Sequence, residues 1–151
     1  MFKNILVAID LSPRSCKALE KAIQFAHLYN ANLTLLNVHE EFLNKDEMLM
    51  SRVSVDKLQA TFKNISIKSK EYINHLITNM HGDDINANIV LREGKPGKII
   101  IEYSKEIVPD IIIIGSNGKD SITDYIVGTT TAYVVDNSKI PVLVVPDYYD
   151  E

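Results

Sequence analysis

Three glycines and a run of hydroxyl side chains follow the most apolar segment of the chain. Residues 110 to 131 have the sequence DIIIIGSNGKDSITDYIVGTTT. Glycine lets backbone N–H groups approach a phosphate closely, and the start of a helix adds a partial positive charge. This spacing therefore predicts a phosphate-binding site. Its candidate contacts are Gly115, Ser116, Asn117, Gly118, Gly128, Thr129, Thr130 and Thr131.

The same residues also allow a plainer interpretation. Gly115 and Gly118 would shape a tight turn, and Thr129 would cap a helix. Short glycine motifs produce many false positives, so the spacing alone leaves the two interpretations open.

Two better-known nucleotide motifs do not fit this sequence. In a P-loop the lysine precedes serine or threonine, whereas Lys119 precedes Asp120, and Ile113 stands where the first glycine belongs. A dinucleotide-binding G-x-G-x-x-G would follow the first strand, yet AIDLSPRS at residues 8 to 15 contains no glycine.

The elements that must position these residues alternate between strands and helices. Continuous apolar runs predict strands at 4–9, 32–38, 85–92, 110–115 and 141–146, with partial alternation marking the third as an edge. Apolar residues at helical spacing predict helices at 13–30, 56–80, 98–107 and 128–137. Ser12 and Pro13 are typical of a helix start, and Asn30 of a helix end.

This alternation predicts an α/β fold with one domain over residues 1–151. We expect a three-layer sandwich in which helices cover both faces of a five-stranded parallel sheet. With the strand order 3-2-1-4-5, Asp10 at the end of the first strand lies beside Gly115 at the end of the fourth. Ligands bind in such sheets where the strand order reverses. Asp10 is therefore a ligand contact or, alternatively, a cap for the turn before Pro13.

Composition narrows the classes of function. Of the 151 residues 46% are hydrophobic, enough for one core, and the net charge of −4 favours neither nucleic acid nor a membrane as a partner. The single cysteine, Cys16, fits a reducing compartment. The apolar runs are far shorter than a bilayer span, so we expect a cytoplasmic protein.

The glycines and the threonine carry a family resemblance. Gly115, Gly118, Gly128 and Thr129 form G-x2-G-x9-G-T, which resembles the signature of the ATP-binding universal stress proteins. The resemblance extends over nearly the whole chain through ILVAIDLSPRS, LTLLNVHE, EGKPGKIII and IPVLVVP. It implies a Rossmann-like fold of the adenine nucleotide alpha hydrolase-like type.

The resemblance also implies a ligand and its contacts. The ligand is ATP, with AMP or ADP as alternatives, and Mg²⁺ or Mn²⁺ as an accompanying ion. Asp10 would contact the adenosine and Val38 the adenine. The residues implied around the ribose and phosphates are Gly115, Asn117, Gly118, Gly128, Thr129, Thr130 and Thr131. Asp120 and Asp124 would oppose phosphate binding unless a divalent ion bridges them.

The expected function is that of a nucleotide-responsive module in stress resistance. ATP would order residues 119–127 and so alter a surface for unidentified protein partners. The sequence offers no recognisable catalytic residue or metal ligand set, so at most weak ATP hydrolysis is expected. The apolar strand at 141–146 predicts a homodimer. The alternatives are a nucleotide-independent interaction dimer and a slow ATPase.

Overall fold

Strands and helices alternate along the whole described chain. The structure is a computed structural model that describes residues 1–40, 55–116 and 127–146. Its elements are β1 (Asn4–Ile9), α1 (Pro13–Tyr29), β2 (Asn32–His39), α2 (Val55–Asn79), β3 (Ala87–Glu93), α3 (Pro96–Ile107), β4 (Ile111–Gly115), α4 (Thr129–Asn137) and β5 (Val142–Val145). The predicted elements are confirmed, with bounds that differ by one or two residues.

The five strands form one parallel sheet in the order β3-β2-β1-β4-β5. The predicted order and the edge position of β3 are therefore confirmed. The strand order reverses between β1 and β4, which are direct neighbours. Parallel strands all end at the same side of a sheet, so the loops after β1 and β4 meet there.

Helices cover both faces of the sheet because successive strand residues point to opposite sides. Val7, Leu35 and Ile113 pack in a core with α1 and α2, whereas Leu6 and Ile112 pack in a second core with α3 and α4. A strand buried on both faces needs apolar side chains at every position, which explains the uninterrupted apolar runs.

The ends of α1 follow from local sequence. Ser12 is the N-cap, and its side chain accepts a hydrogen bond from the backbone N–H of Ser15. Pro13 occupies the first turn, and Asn30 ends the helix in the left-handed conformation with φ 49°. Each residue stands at the helix position that its type favours.

Gly97 lets α3 and α4 pack closely. A Cβ atom at Gly97 would lie 2.9 Å from Cδ1 of Tyr133, so any larger residue would push the two helices apart. This packing fixes α4 against the sheet and so helps to position its first turn.

The residues in the described ranges include no helix that combines the length and hydrophobicity of a membrane span.

Candidate functional site at the carboxyl ends of the strands

Three strand ends carry the predicted site residues side by side. Ile9 pairs with Asn37 and Ala8 pairs with Ile114. Asp10 is therefore level with Val38 at the end of β2 and with Ser116 just after β4. Since neighbouring strands lie about 4.8 Å apart, these three positions span about 10 Å along the edge of the sheet.

Hydrogen bonds join the start of α4 to the end of β4. The backbone N–H of Gly128 donates to the carbonyl of Ser116 at 2.8 Å. The hydroxyl of Thr131, which is 3% exposed, donates to the carbonyl of Gly115 at 2.7 Å. The N–H of Ser116 in turn donates to the carbonyl of Val145 at 2.9 Å. The first turn of α4 is thus held at the switch point of the sheet.

The start of α4 presents backbone donors. Gly128 is the N-cap in extended conformation, with φ −64° and ψ 158°, and no described side chain caps the helix. The first intrahelical bond runs from the N–H of Ala132 to the carbonyl of Gly128 at 2.9 Å. The N–H groups of Thr129, Thr130 and Thr131 precede it, so the helix itself offers them no acceptor. Such a helix start favours an anion.

Asp10 shapes the turn between β1 and α1. Its Oδ1 atom accepts hydrogen bonds from the backbone N–H of Ser12 at 2.9 Å and from the Ser12 hydroxyl. Leu11 between them has a left-handed φ of 66°. The capping alternative for Asp10 is therefore observed. A carboxylate offers about four acceptor positions, so a role in the turn and a ligand contact are chemically compatible.

The charge of Asp10 reaches Cys16 in the first turn of α1. Burial raises the pKa of the Cys16 thiol, and the negative charge of Asp10 raises it further. The thiol also donates to the carbonyl of Ser12 at 3.6 Å. Burial and the charge of Asp10 together therefore make the Cys16 thiol less acidic than a free cysteine, with a raised pKa.

Val38 provides an apolar surface beside Asp10. Its side chain is half-buried and packs against the core that lies under α3 and α4. Its register partner on β3 is Arg92. The preceding residue, Asn37, pairs with Ile9 on β1, so Val38 lies level with Asp10. The exposed part of Val38 can therefore contact an apolar group at the end of β2.

Asn37 is a buried residue beside the candidate site that was not predicted from the sequence. It is 2% exposed, and its Nδ2 atom donates to the carbonyl of Ile9 at 2.9 Å. Its Oδ1 atom is buried and has no hydrogen-bond partner within the described residues. The bond fixes the peptide group that leads into Asp10. The available signal was one amide residue inside the apolar run LTLLNV.

Part of the predicted site lies outside the described residues. This part contains Asn117, Gly118, Asp120 and Asp124, together with all of the 119–127 segment except Val127. The described residues contain no group of three or more side chains that would hold a metal ion.

An all-parallel sheet in this order, with a helix start held at its switch point, defines a Rossmann-like α/β protein. Within that class, residues 1–146 match the model of the Universal stress protein family, and the chain belongs to this family.

Two relatives match along nearly their full length. Universal stress protein YxiE of Bacillus subtilis is 29% identical over 150 residues, covering 96% of this chain and 99% of the relative. Universal stress protein MJ0577 of Methanocaldococcus jannaschii is 27% identical over 154 residues, covering 96% and 95%. The solved structure of MJ0577 has a TM-score of 0.78 at 25% identity and covers 99% of both chains. UspA from Lactobacillus plantarum has a TM-score of 0.79 at 26% identity, covering 95% of this chain and 97% of UspA.

Proposed function

We propose that this protein binds an adenine nucleotide, with ATP as the ligand, and acts in the cytoplasm as a nucleotide-responsive regulatory module in stress resistance. The observation that carries the proposal is the start of α4, whose backbone donors are held at the switch point beside Asp10.

The start of α4 fits the phosphates. Backbone N–H groups of Thr129, Thr130 and Thr131 supply donors, and the positive end of the helix favours the negative charge. The hydroxyls of Thr129, which is exposed, and Thr130, which is half-buried, add donors. Thr131 has a different role, because its hydroxyl already holds α4 to Gly115. Gly128 admits the phosphates because it has no side chain. Asn117 and Gly118 complete the proposed set from outside the described residues.

The ends of β1 and β2 fit the nucleoside. Ribose hydroxyls are donors, and the carboxylate of Asp10 accepts such bonds about one strand spacing from β4. Val38 lies one strand further on and offers apolar contact to the flat purine. The order purine, ribose, phosphate therefore follows the order β2, β1, β4 across the sheet.

More distant relatives of the same fold support this class of ligand. One solved universal stress protein, 24% identical, is a complex with cAMP, and one from Archaeoglobus fulgidus, 18% identical, is a complex with dAMP. At these identities the likeness concerns the fold, and the proposal for this chain rests on its own residues.

A divalent ion would accompany the phosphates of ATP. Mg²⁺ or Mn²⁺ would neutralise part of the phosphate charge, as it does when it is bound mainly through substrate oxygens. We assign it no protein ligand, since Asp120 and Asp124 lie outside the described residues. We propose binding as the main role, with slow ATP hydrolysis as the alternative, because the sequence offers no recognisable general base.

The variant Asp10→Asn tests the ribose contact. The asparagine Oδ1 atom still accepts from Ser12, so the turn is retained while the charge is lost. We expect ATP affinity to fall about tenfold, which corresponds to the loss of one hydrogen bond to a charged group. Isothermal titration calorimetry measures this change.

Alkylation of Cys16 provides the control for Asp10→Asn. Removing the negative charge at residue 10 lowers the pKa of the only cysteine, so its alkylation rate at pH 8 rises. A faster alkylation with unchanged ATP affinity would remove Asp10 from the binding site. Asp10 would then act only in the turn between β1 and α1.

We further propose a homodimer formed through β5, the strand at the second edge of the sheet. Val142, Leu143 and Val144 are only half-buried, and β5 pairs with β4 alone among the described strands. An apolar edge of this kind favours pairing across a two-fold axis. Light scattering at micromolar concentration should give the mass of a dimer. Val144→Lys should give a monomer, whereas Val135→Lys on the exposed side of α4 should not.

A further inference from the structure

A cavity of about 410 Å³ runs along the outer edge of β3. This edge is opposite to β5, so a dimer formed through β5 leaves it accessible. The residues that line the cavity are Phe62, Ser66 and Lys70 of α2, Asn88, Ile89, Val90, Leu91 and Arg92 of β3, and Tyr103 of α3. The cavity therefore extends around the strand edge from one face of the sheet to the other.

The backbone of β3 presents hydrogen-bonding groups to this cavity. The carbonyl of Asn86 accepts from the N–H of Leu33 on β2, and the N–H of Gly94 donates to His39 on β2. Between Asn86 and Gly94, the backbone N–H and carbonyl groups of the even-numbered residues therefore bond to β2, because successive residues of a parallel strand bond to opposite sides. The N–H and carbonyl groups of Ala87, Ile89 and Leu91 point outward. No described strand pairs with them.

Two basic side chains line this edge of the sheet. Lys70 and Arg92 line the cavity, and its lining includes no carboxylate, although the chain has a net charge of −4. Neither cation forms an ion pair with a described residue. The guanidinium of Arg92 lies 5.2 Å from the centre of the Tyr103 ring, and its Nη1 atom donates to the carbonyl of Leu91 at 3.2 Å. The charged side chains that line the cavity are thus both cations, and Glu106 acts on Tyr103 from outside the lining.

We propose that the β3 edge binds an extended acidic segment of a partner protein, which adds to the sheet as a sixth strand. Strand addition uses the outward backbone groups for affinity and the side-chain contacts for selectivity, and the carbonyl of Leu91 would exchange its bond from Arg92 for one from the segment. Alternate side chains of the segment would contact Phe62 on one face and Tyr103 on the other. Acidic residues would pair with Lys70 and Arg92, since complementary charge selects the partner. This site uses none of the residues assigned to the nucleotide, although Arg92 is the register partner of Val38.

A synthetic peptide tests the β3 edge directly. The probe is fluorescein-labelled EDVTVTVDE, and the comparison peptide KKVTVTVKK has lysines in place of the acids. We expect saturable fluorescence anisotropy with the acidic peptide at micromolar protein, weaker binding at 500 mM salt than at 50 mM, and no binding of the lysine peptide. ATP should not displace the probe.

Three variants separate the edge from other surfaces. Lys70→Glu should weaken peptide binding at least fivefold. Lys68→Glu makes the same change of charge on the opposite side of α2 and should leave binding unchanged. Leu91→Pro removes an outward N–H without removing a bond to β2, so it should abolish binding while the melting transition persists.

Several results would overturn the proposal. These are no binding at millimolar peptide, equal binding of the two peptides, or equal effects of Lys70→Glu and Lys68→Glu. A concentration-dependent self-association that Leu91→Pro abolishes would assign the edge to a second copy of the chain instead. Loss of ATP binding in other variants leaves this proposal unaffected, because the two sites share neither Lys70 nor Leu91.

Discussion

Gly128→Asp is expected to stabilise the protein and to weaken its affinity for ATP strongly. Aspartate is a favoured N-cap residue, and Gly128 already has the extended backbone that an N-cap requires. Its carboxylate would bond the first N–H groups of α4, so the free energy of unfolding should rise by up to about 1 kcal/mol. The same carboxylate would repel a phosphate at the same donors. Since like charges in contact cost several kcal/mol, affinity should fall at least about thirtyfold.

Gly128→Asn is the matched control for this variant. Asparagine caps the same N–H groups without a negative charge, so it should stabilise the helix similarly and weaken ATP binding much less. Urea denaturation measures the stability and calorimetry measures the affinity. If Gly128→Asp became more stable and still bound ATP as tightly as the unchanged protein, the start of α4 would not be the phosphate site.

Thr131→Val is expected to reduce both stability and ATP affinity. Valine keeps the shape of the side chain but removes the hydroxyl that donates to the carbonyl of Gly115 at 2.7 Å. A buried carbonyl that loses its partner costs about 1–3 kcal/mol, and we expect a loss of this size in urea denaturation. Because the bond also holds the first turn of α4 at the end of β4, ATP affinity should fall in parallel.

Thr130→Val is the corresponding control for stability. Residue 130 is only half-buried, so removing its hydroxyl should change the free energy of unfolding by less than about 0.5 kcal/mol. Equal losses of stability in the two variants would mean that the bond from Thr131 to Gly115 does not anchor the helix.

The fold could be predicted from sequence because its determinants are local. Continuous apolar runs specified strands that are buried on both faces, and Ser12, Pro13 and Asn30 marked the ends of α1. Alternation of strands and helices then left few topologies to consider, since parallel crossovers are right-handed. The parallel sheet followed from these elements, and the strand order 3-2-1-4-5, which was assumed, placed Asp10 beside the end of β4.

The details of the site could not be predicted in the same way because they depend on contacts distant in sequence. Thr129, Thr130 and Thr131 are equivalent as residue types, yet a helix turns about 100° per residue, so only Thr131 faces the carbonyl of Gly115. Asn37 bonds to Ile9, which is 28 residues away. The β3 edge is formed by α2, β3 and α3 together, and neither Lys70 nor Arg92 alone indicated it.

Calorimetric titration tests most directly whether this chain binds an adenine nucleotide. Protein freed of nucleotide is titrated in the calorimeter with MgATP and, separately, with MgGTP. We expect saturable binding of ATP at one site per chain, with weaker binding of GTP. Absence of saturable heat with ATP up to millimolar concentration, in protein that remains folded, would contradict it and would favour a dimer that acts through protein contacts alone.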